Sequence, residues 1–436
     1  LSNFRVSYVT KTSKMFEYCA ELTSINFRNF KLIESSDMSF MFYGCSNLRY
    51  LDLSNFKTEK VTDLSFMFYG CASLTSINFY NFITSKVTNM NSMFQGCSSL
   101  QRLNLNKFNT YNVKNMQNLF YNCKSLLSLD ISSFNTINVT QFTYMFFGCS
   151  SLTSLIFPKT FTTSLMKDMN NMFSGCYSLT SLNLNMFDTS QVTDMAFLFS
   201  GCSSLKVLSI NKLDTSNVIN MENMFYECLS LSQINIKNFD THKVINMRNL
   251  FNGCSLLKNI DLSKFNTMNV LNMESMFKDC SSLISLKLNN FNTSLVTNMN
   301  SMFKGCSSLV LLSINNFDTS DVVDMGYMFN GCSSLTSLNI FNFKTNNVKN
   351  MIALFSGCSS LISLNITNFD TSKVTNIKSM FSGCVAINSL NLDNFNTSNV
   401  VYMDSLFENC ISLTSINLSS FDTSQTISME NMFSYC

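Results

Sequence analysis

All seventeen cysteines of this 436-residue chain stand on one lattice, from Cys19, Cys45, Cys71, Cys97, Cys123 and Cys149 through Cys176 to Cys436, and fifteen of the sixteen spacings are 26 residues. Three chemistries could use such a column: disulfide formation, metal binding by thiolates, and nucleophilic attack. Coils stacked at strand spacing bring Cα atoms within the ~4.4–6.8 Å that a disulfide needs, but side chains on one lattice point in parallel and their number is odd. A structural metal site calls for paired ligands at close spacing, and C-x2-C never occurs. A cysteine or serine nucleophile needs a base, and His242 is the only histidine. The column therefore reads as one buried free thiol per repeat, a small hydrophobe in a tight slot.

Carboxylates give a second candidate. Asp188, Asp214 and Asp240 fall in one column of turns, and Asp168 lies one repeat from Asp194 in another. Stacked like charges repel unless a cation intervenes, which makes Asp188, Asp214 and Asp240 calcium candidates. Against this, each Asp could serve only its own turn, as Asn109, Asn266 and Asn292 do at equivalent positions. His242 follows Asp240 by two residues and reads as a solvated turn residue. No glycine-rich phosphate loop or other non-repeating constellation breaks the pattern, so neither catalysis nor a cofactor is expected.

The elements that would position these side chains follow from the repeat. A fixed period of 20 to 50 residues marks a solenoid of supersecondary units, none able to bury its apolar face alone. In the unit Val87–Thr110, residues Met90, Met93, Phe94 and Cys97 stand at i, i+3, i+4 and i+7, the stripe of a short helical turn. Asn89 and its equivalents, among them Asp37, Asp63, Asn115, Asp168 and Asp194, are placed to cap it. Gly96 precedes Cys97, as eleven of the twelve glycines precede a cysteine, and should end the turn in a left-handed conformation. Leu103 and Leu105 alternate with Asn104 as a short half-buried strand, and Phe108 follows into the core. A turn of the form Phe-Asx-Thr-Ser leads to Val113, which re-enters it. The expected fold is an α/β solenoid of about 17 coils over residues 1–436, each with one short parallel strand and one helical turn, forming an arc of about 80 Å.

Leu1 and Phe4 match Leu105 and Phe30, so the chain is expected to open partway through a unit. Cys436 closes it partway through another. Both ends look uncapped, the expectation for a piece of a longer protein whose signal or anchor lies elsewhere. One extra residue between Pro158 and Lys167, near Met166, predicts a local bulge.

The charge balance of 29 basic to 27 acidic residues lacks the basic excess of a nucleic-acid binder, and no apolar run is long enough for a membrane span. Strand positions carry Asn26, Asn78, Asn104, Asn183, Asn235, Asn339, Asn365, Asn391 and Asn417. This polar face could bind a protein or glycan multivalently, or could simply be the solvated face of the coil. Tyr50, Arg49 and Arg102 interrupt it and are the first places to look.

The L-x-x-L-x-L segment resembles a leucine-rich repeat. The fuller string V-T-N-M-x-x-M-F-x-G-C-x-S-L-x-S-L-N-L-x-N-F-D-T-S resembles the 26-residue repeat of BspA-like surface proteins over essentially the whole chain. The resemblance implies a right-handed coil stack and a place at the cell surface or outside the cell, in adhesion or extracellular structure rather than catalysis. Two alternatives stay open: a self-assembling filament or coat protein, and an intracellular protein-interaction scaffold.

Overall fold

The structure is a computed structural model that describes residues 8–28, 30, 32–159 and 161–436. Leu1 and Phe4 lie outside the described residues. The chain forms a β-solenoid of stacked parallel coils that divides into two compact units, Leu1–Asn217 and Val218–Cys436.

In the first unit β1 (Tyr50–Asp52) pairs with β2 (Ser76–Asn78), β3 (Ser128–Asp130) with β4 (Ser154–Ile156), and β5 (Ser181–Asn183) with β6 (Val207–Ser209). In the second, β7 (Ser285–Lys287) pairs with β8 (Leu311–Ser313). Every pair is parallel, and the register matches the repeat: Leu129 lies opposite Leu155 and Leu286 opposite Leu312. The central residue of these strands points inward, as the Leu-x-Leu alternation predicts. Other coils keep the buried leucines without a strand ladder; Leu103 and Leu105 are 8% and 2% exposed.

The expected helical turn does not form. Among the described residues there is no helix. Residues 90–97 instead make two successive four-residue turns, with N–H of Met93 donating to Met90 O and N–H of Cys97 to Phe94 O. In each turn the third residue has positive φ, 54° at Ser92 and 74° at Gly96. The alternate N–H groups of Met90, Ser92, Phe94 and Gly96 donate to Asn115, Gln117, Leu119 and Tyr121 of the next coil at 2.8–3.0 Å. An α-helix over these eight residues would leave its first four N–H groups, Met90 to Met93, without a partner in the segment, and so short a helix is marginal alone. Identical neighbours offer four inter-coil bonds instead, and the stack wins.

The apolar positions are compatible with both structures, since steps of three and four residues satisfy a turn of four as well as a helix of 3.6. Asn89 is correspondingly no helix cap. Its Oδ1 accepts the N–H of Asn91 at 3.1 Å, an Asx turn, while its backbone bridges Asp63 and Asn115 in parallel.

Gly96 and its equivalents do take the left-handed conformation, as do Asn122, Asp279 and Asn409, which replace glycine there. At Gly175 an added Cβ would lie 3.3 Å from the Gly148 Cα of the coil before, so close stacking reinforces the conformational demand. The extra residue falls between Phe157 and Phe161. Beyond it the lattice resumes: Phe161 stacks 4.9 Å from Phe187, and Met166 takes the valine position with its N–H on Thr163 O.

The core is a set of columns. Phe94 lies 5.5 Å from Phe68 and 5.7 Å from Phe120, with nearly parallel rings, and Phe277, Phe303 and Phe329 repeat this in the second unit. Phe30, Phe56, Phe82, Phe108, Phe134 and Phe187 form a second buried set in the first unit.

A column of buried threonines ties the turns together. Thr319 Oγ1 donates to Lys344 O at 2.9 Å and accepts the Lys344 N–H at 2.8 Å, so one hydroxyl satisfies both backbone groups of a residue in the next coil. Thr84 does the same for Asn109, and Thr110 for Asn135. Thr319→Val keeps the shape and leaves both partners unmet, which should cost about 1–3 kcal/mol, whereas Thr319→Ser should lose far less. Denaturant midpoints of the two variants check this.

Candidate interaction surface

The residues singled out by type divide into those that build the coil and those that face solvent. Cys97 belongs to the first group. Its Sγ donates to Phe68 O at 3.2 Å in the preceding coil, and the same carbonyl accepts the N–H of Cys71 at 3.1 Å. Cys306 repeats the contact on Phe277 O in the second unit at 3.1 Å. The column is thus a ladder of weak donors, one per coil, each closing a core slot.

All seventeen thiols are free; fifteen are buried, Cys19 is half-buried and Cys436 exposed. Burial raises the pKa of Cys123, Cys176, Cys254 and Cys306 to about 12 from the ordinary value near 9. A nucleophile or metal ligand must be thiolate, and these sites disfavour it.

The aspartate candidates serve turns. Asp188 Oδ1 accepts the N–H and hydroxyl of Ser190 at 3.1 and 2.7 Å, and Asp214 Oδ1 accepts the N–H of Ser216 at 2.9 Å. Asp240, in the second unit, takes His242 N–H at 3.1 Å and lies 2.8 Å from His242 Nδ1. Partial burial of Asp240 works against its charge, but the His242 hydrogen bonds and the nearby charge of Lys243 prevail and hold its pKa below the usual range. Among the described residues no three His, Cys, Asp or Glu side chains converge in a group able to hold a metal ion. Asp168 differs in sign: burial, with the charge of Asp194, raises it against the Asn170 N–H that stabilises its anion.

The strand-face asparagines are exposed except Asn78, which is half-buried. Their Oδ1 atoms accept N–H groups two residues on, as Asn104 does from Asn106 and Asn183 from Asn185, so much of the array closes its own turns.

The first unit departs from this uniform face between residues 50 and 130. A depression of about 420 Å³ is lined by Tyr50, Asn78, Tyr80, Asn104, Asn106 and Lys107. It shares Tyr80 and Lys107 with a second of about 880 Å³, which adds Asn55, Lys57, Glu59 and Asn109. It shares Asn104 and Asn106 with a third of about 540 Å³ containing Arg102 and Asp130. Together they make one trough crossing several coils. Tyr80 is 66% exposed and Tyr50 49%. Lys107 Nζ sits 4.2 Å from the Tyr80 ring centroid and donates to Tyr80 O at 3.1 Å, at the divide between two of the depressions.

Some other surface aromatics stack on one another, whereas Tyr111, Tyr177 and Phe341 are 52%, 54% and 49% exposed. Tyr43 stacks on Tyr69 at 4.5 Å and Phe40 on Phe66 at 4.7 Å. Half-burial and hydrogen bonds with Tyr18 and Tyr69 push the Tyr43 hydroxyl up to about 12.

Tyr50 and Arg102 were visible in the sequence as interruptions of a serine column. Tyr80 and Lys107 were missed, because they occupy different turn positions and meet only through the coil geometry. The signal that could have found them is their spacing of 27, one residue more than the repeat, which sets them diagonally on adjacent coils.

The family model described as "Mycoplasma protein of unknown function, DUF285" matches in overlapping segments, 1–99, 36–157, 72–182, 126–209, 167–285, 275–363 and 355–436, which together span the whole chain. The chain belongs to this family. DUF285 repeats are of the BspA type, so the likeness read from the repeat string holds. No curated protein matches the chain.

Similar solved structures are leucine-rich repeat proteins. One from Bacteroides ovatus is 21% identical, covers 80% of each chain and gives a TM-score of 0.47. A leucine-rich cell surface protein from Faecalibacterium prausnitzii is 18% identical over 87% of this chain and 80% of its own, with a TM-score of 0.33. One from Eubacterium ventriosum is 15% identical over 77% and 82%, with a TM-score of 0.38. Among the described residues of this DUF285 chain, no helix is long and apolar enough to cross a membrane.

Proposed function

We propose that this chain is a non-enzymatic interaction scaffold, secreted or displayed at a cell surface, that acts in adhesion through the strand face of its first unit. The observation that carries the reading is the trough at Tyr50, Tyr80, Arg102 and Lys107, where aromatic and cationic side chains replace the Ser, Thr and Asn of neighbouring coils. Core positions are spent on stacking and surface polar groups on closing turns, so a partner would be recognised where that rule lapses. Exposed aromatic and arginine side chains beside a concave surface are the residue types that dominate binding energy. The free thiols suit an oxidising exterior as well as a cytosol, since burial keeps fifteen of them protonated and out of reach of oxidants.

Brief trypsin treatment of intact cells, with mass spectrometry of the released peptides, tests the location. The reading predicts release of this chain's peptides before lysis. Peptides that appear only after lysis would instead support the intracellular scaffold.

A further inference from the structure

We infer that the trough of the first unit binds an acidic oligosaccharide, one whose sugar rings carry carboxylate or sulfate groups. The inference rests on the interaction-scaffold reading and names its ligand class. Three observations carry it.

The first is charge. The trough gathers Lys57, Arg102 and Lys107 against Glu59 and Asp130, whereas depressions in the second unit pair one lysine with one aspartate, Lys287 with Asp261 and Lys344 with Asp370. The second is the state of Lys107. Its ammonium rests on two neutral partners, the face of Tyr80 and the Tyr80 carbonyl, so the cation is held in place with its charge available to an anion. An anionic group taken up there lies beside an aromatic ring, the arrangement that suits a sugar whose C–H face stacks while its acid group pairs. The third is the lining between the charges. Asn104 and Asn109 close turns through Oδ1 alone and keep their amide N–H groups as donors, and Asn106 adds a further amide, so the lining offers hydrogen bonds suited to sugar hydroxyls. The depressions, about 420 and 880 Å³, fall within the range of about 300–1,000 Å³ usual for ligand sites. Their run across successive coils fits an extended chain rather than a single sugar.

Calorimetric titration of the whole chain tests this with four probes: hyaluronan and heparin hexasaccharides, maltohexaose as the neutral sugar, and hexaglutamate as the acidic peptide. Saturable binding of an acidic hexasaccharide is expected, with little for maltohexaose or hexaglutamate. Tyr80→Ala and Lys107→Gln should each weaken it by about ten-fold, and Ser363→Ala, on the second unit's strand face, should leave it unchanged. Added salt should weaken it further. Both trough side chains are exposed, so the variants should melt with the parent, and circular dichroism verifies that.

Equal binding of hexaglutamate would overturn the sugar assignment in favour of an acidic protein segment. Preference for maltohexaose would overturn the acidic one. Acidic binding that survives both trough substitutions would overturn the site. Absence of binding by all four probes, from a chain that trypsin still releases from intact cells, would overturn this inference alone and leave the scaffold reading standing.

Discussion

The stability of the solenoid should be flat from neutral pH to about 8.5 and then fall steeply. Cys254 and Cys306 in the second unit are pushed by burial to about 12, and Cys280, Cys332, Cys358 and Cys384 are raised in the same direction. A folded-state pKa above the unfolded one means that the native chain keeps its proton while the unfolded chain loses it. The stability is therefore fully present below about 9 and is lost as pH rises towards 12. Each such cysteine contributes a slope of about 1.4 kcal/mol per pH unit in that window, so Cys254 and Cys306 alone give about 3. A typical domain holds about 5–15 kcal/mol, so unfolding is expected within one or two pH units above 9. Denaturant midpoints measured from pH 7 to 11 read the effect directly. Cys306→Ala should be less stable at pH 7 and show a shallower alkaline slope. A midpoint unchanged to pH 11 would contradict the buried, protonated column.

Phe303→Ala should be the most damaging single truncation. Its ring is wholly buried, 5.9 Å from Phe277 and 5.7 Å from Phe329, with near-parallel planes on both sides. Removing it leaves a cavity between two stacked coils that the regular lattice cannot collapse, a loss of about 3–5 kcal/mol. Each coil leans chiefly on its neighbours, so the loss should appear as a local opening before the whole unit unfolds. Hydrogen exchange should show the inter-coil N–H groups of Ser301 and Phe303 losing protection first. Phe303→Leu should retain most of it. An exchange pattern that weakens evenly across the unit would show that the stack is more cooperative than its contacts suggest.

These effects trace to features that differ in how openly the sequence displays them. The cysteine lattice, the left-handed position before each cysteine, which is glycine in eleven units, and the phenylalanine columns were legible because each is dominated by one residue type at one position, repeated. The double turn was not. Met90, Met93, Phe94 and Cys97 satisfy a helix and a pair of four-residue turns equally, and what decides between them is where the N–H groups of Ser92 and Gly96 find acceptors, which lies in the next coil. Positive φ at Ser92, Phe66 or Tyr144 leaves no glycine signature, because those positions carry Ser, Asn and aromatics indifferently. Likewise the Phe-Asx-Thr-Ser turn was recognised, but the clamp of Thr319 on Lys344 joins residues 25 apart. The trough was half legible, through Tyr50 and Arg102. The Tyr80 and Lys107 pair required the diagonal offset of adjacent coils.

The residues best able to do chemistry here, the seventeen cysteines, are architecture, and the proposed recognition surface lies between Tyr50 and Lys107. Alkylation of the native protein at pH 7.5, followed by peptide mass spectrometry, tests the architectural role most directly. The structure predicts that Cys436 and then Cys19 are modified while the other fifteen react only after denaturation. Rapid modification of Cys97 or Cys306 in the native chain, or disulfides joining neighbouring coils, would contradict it.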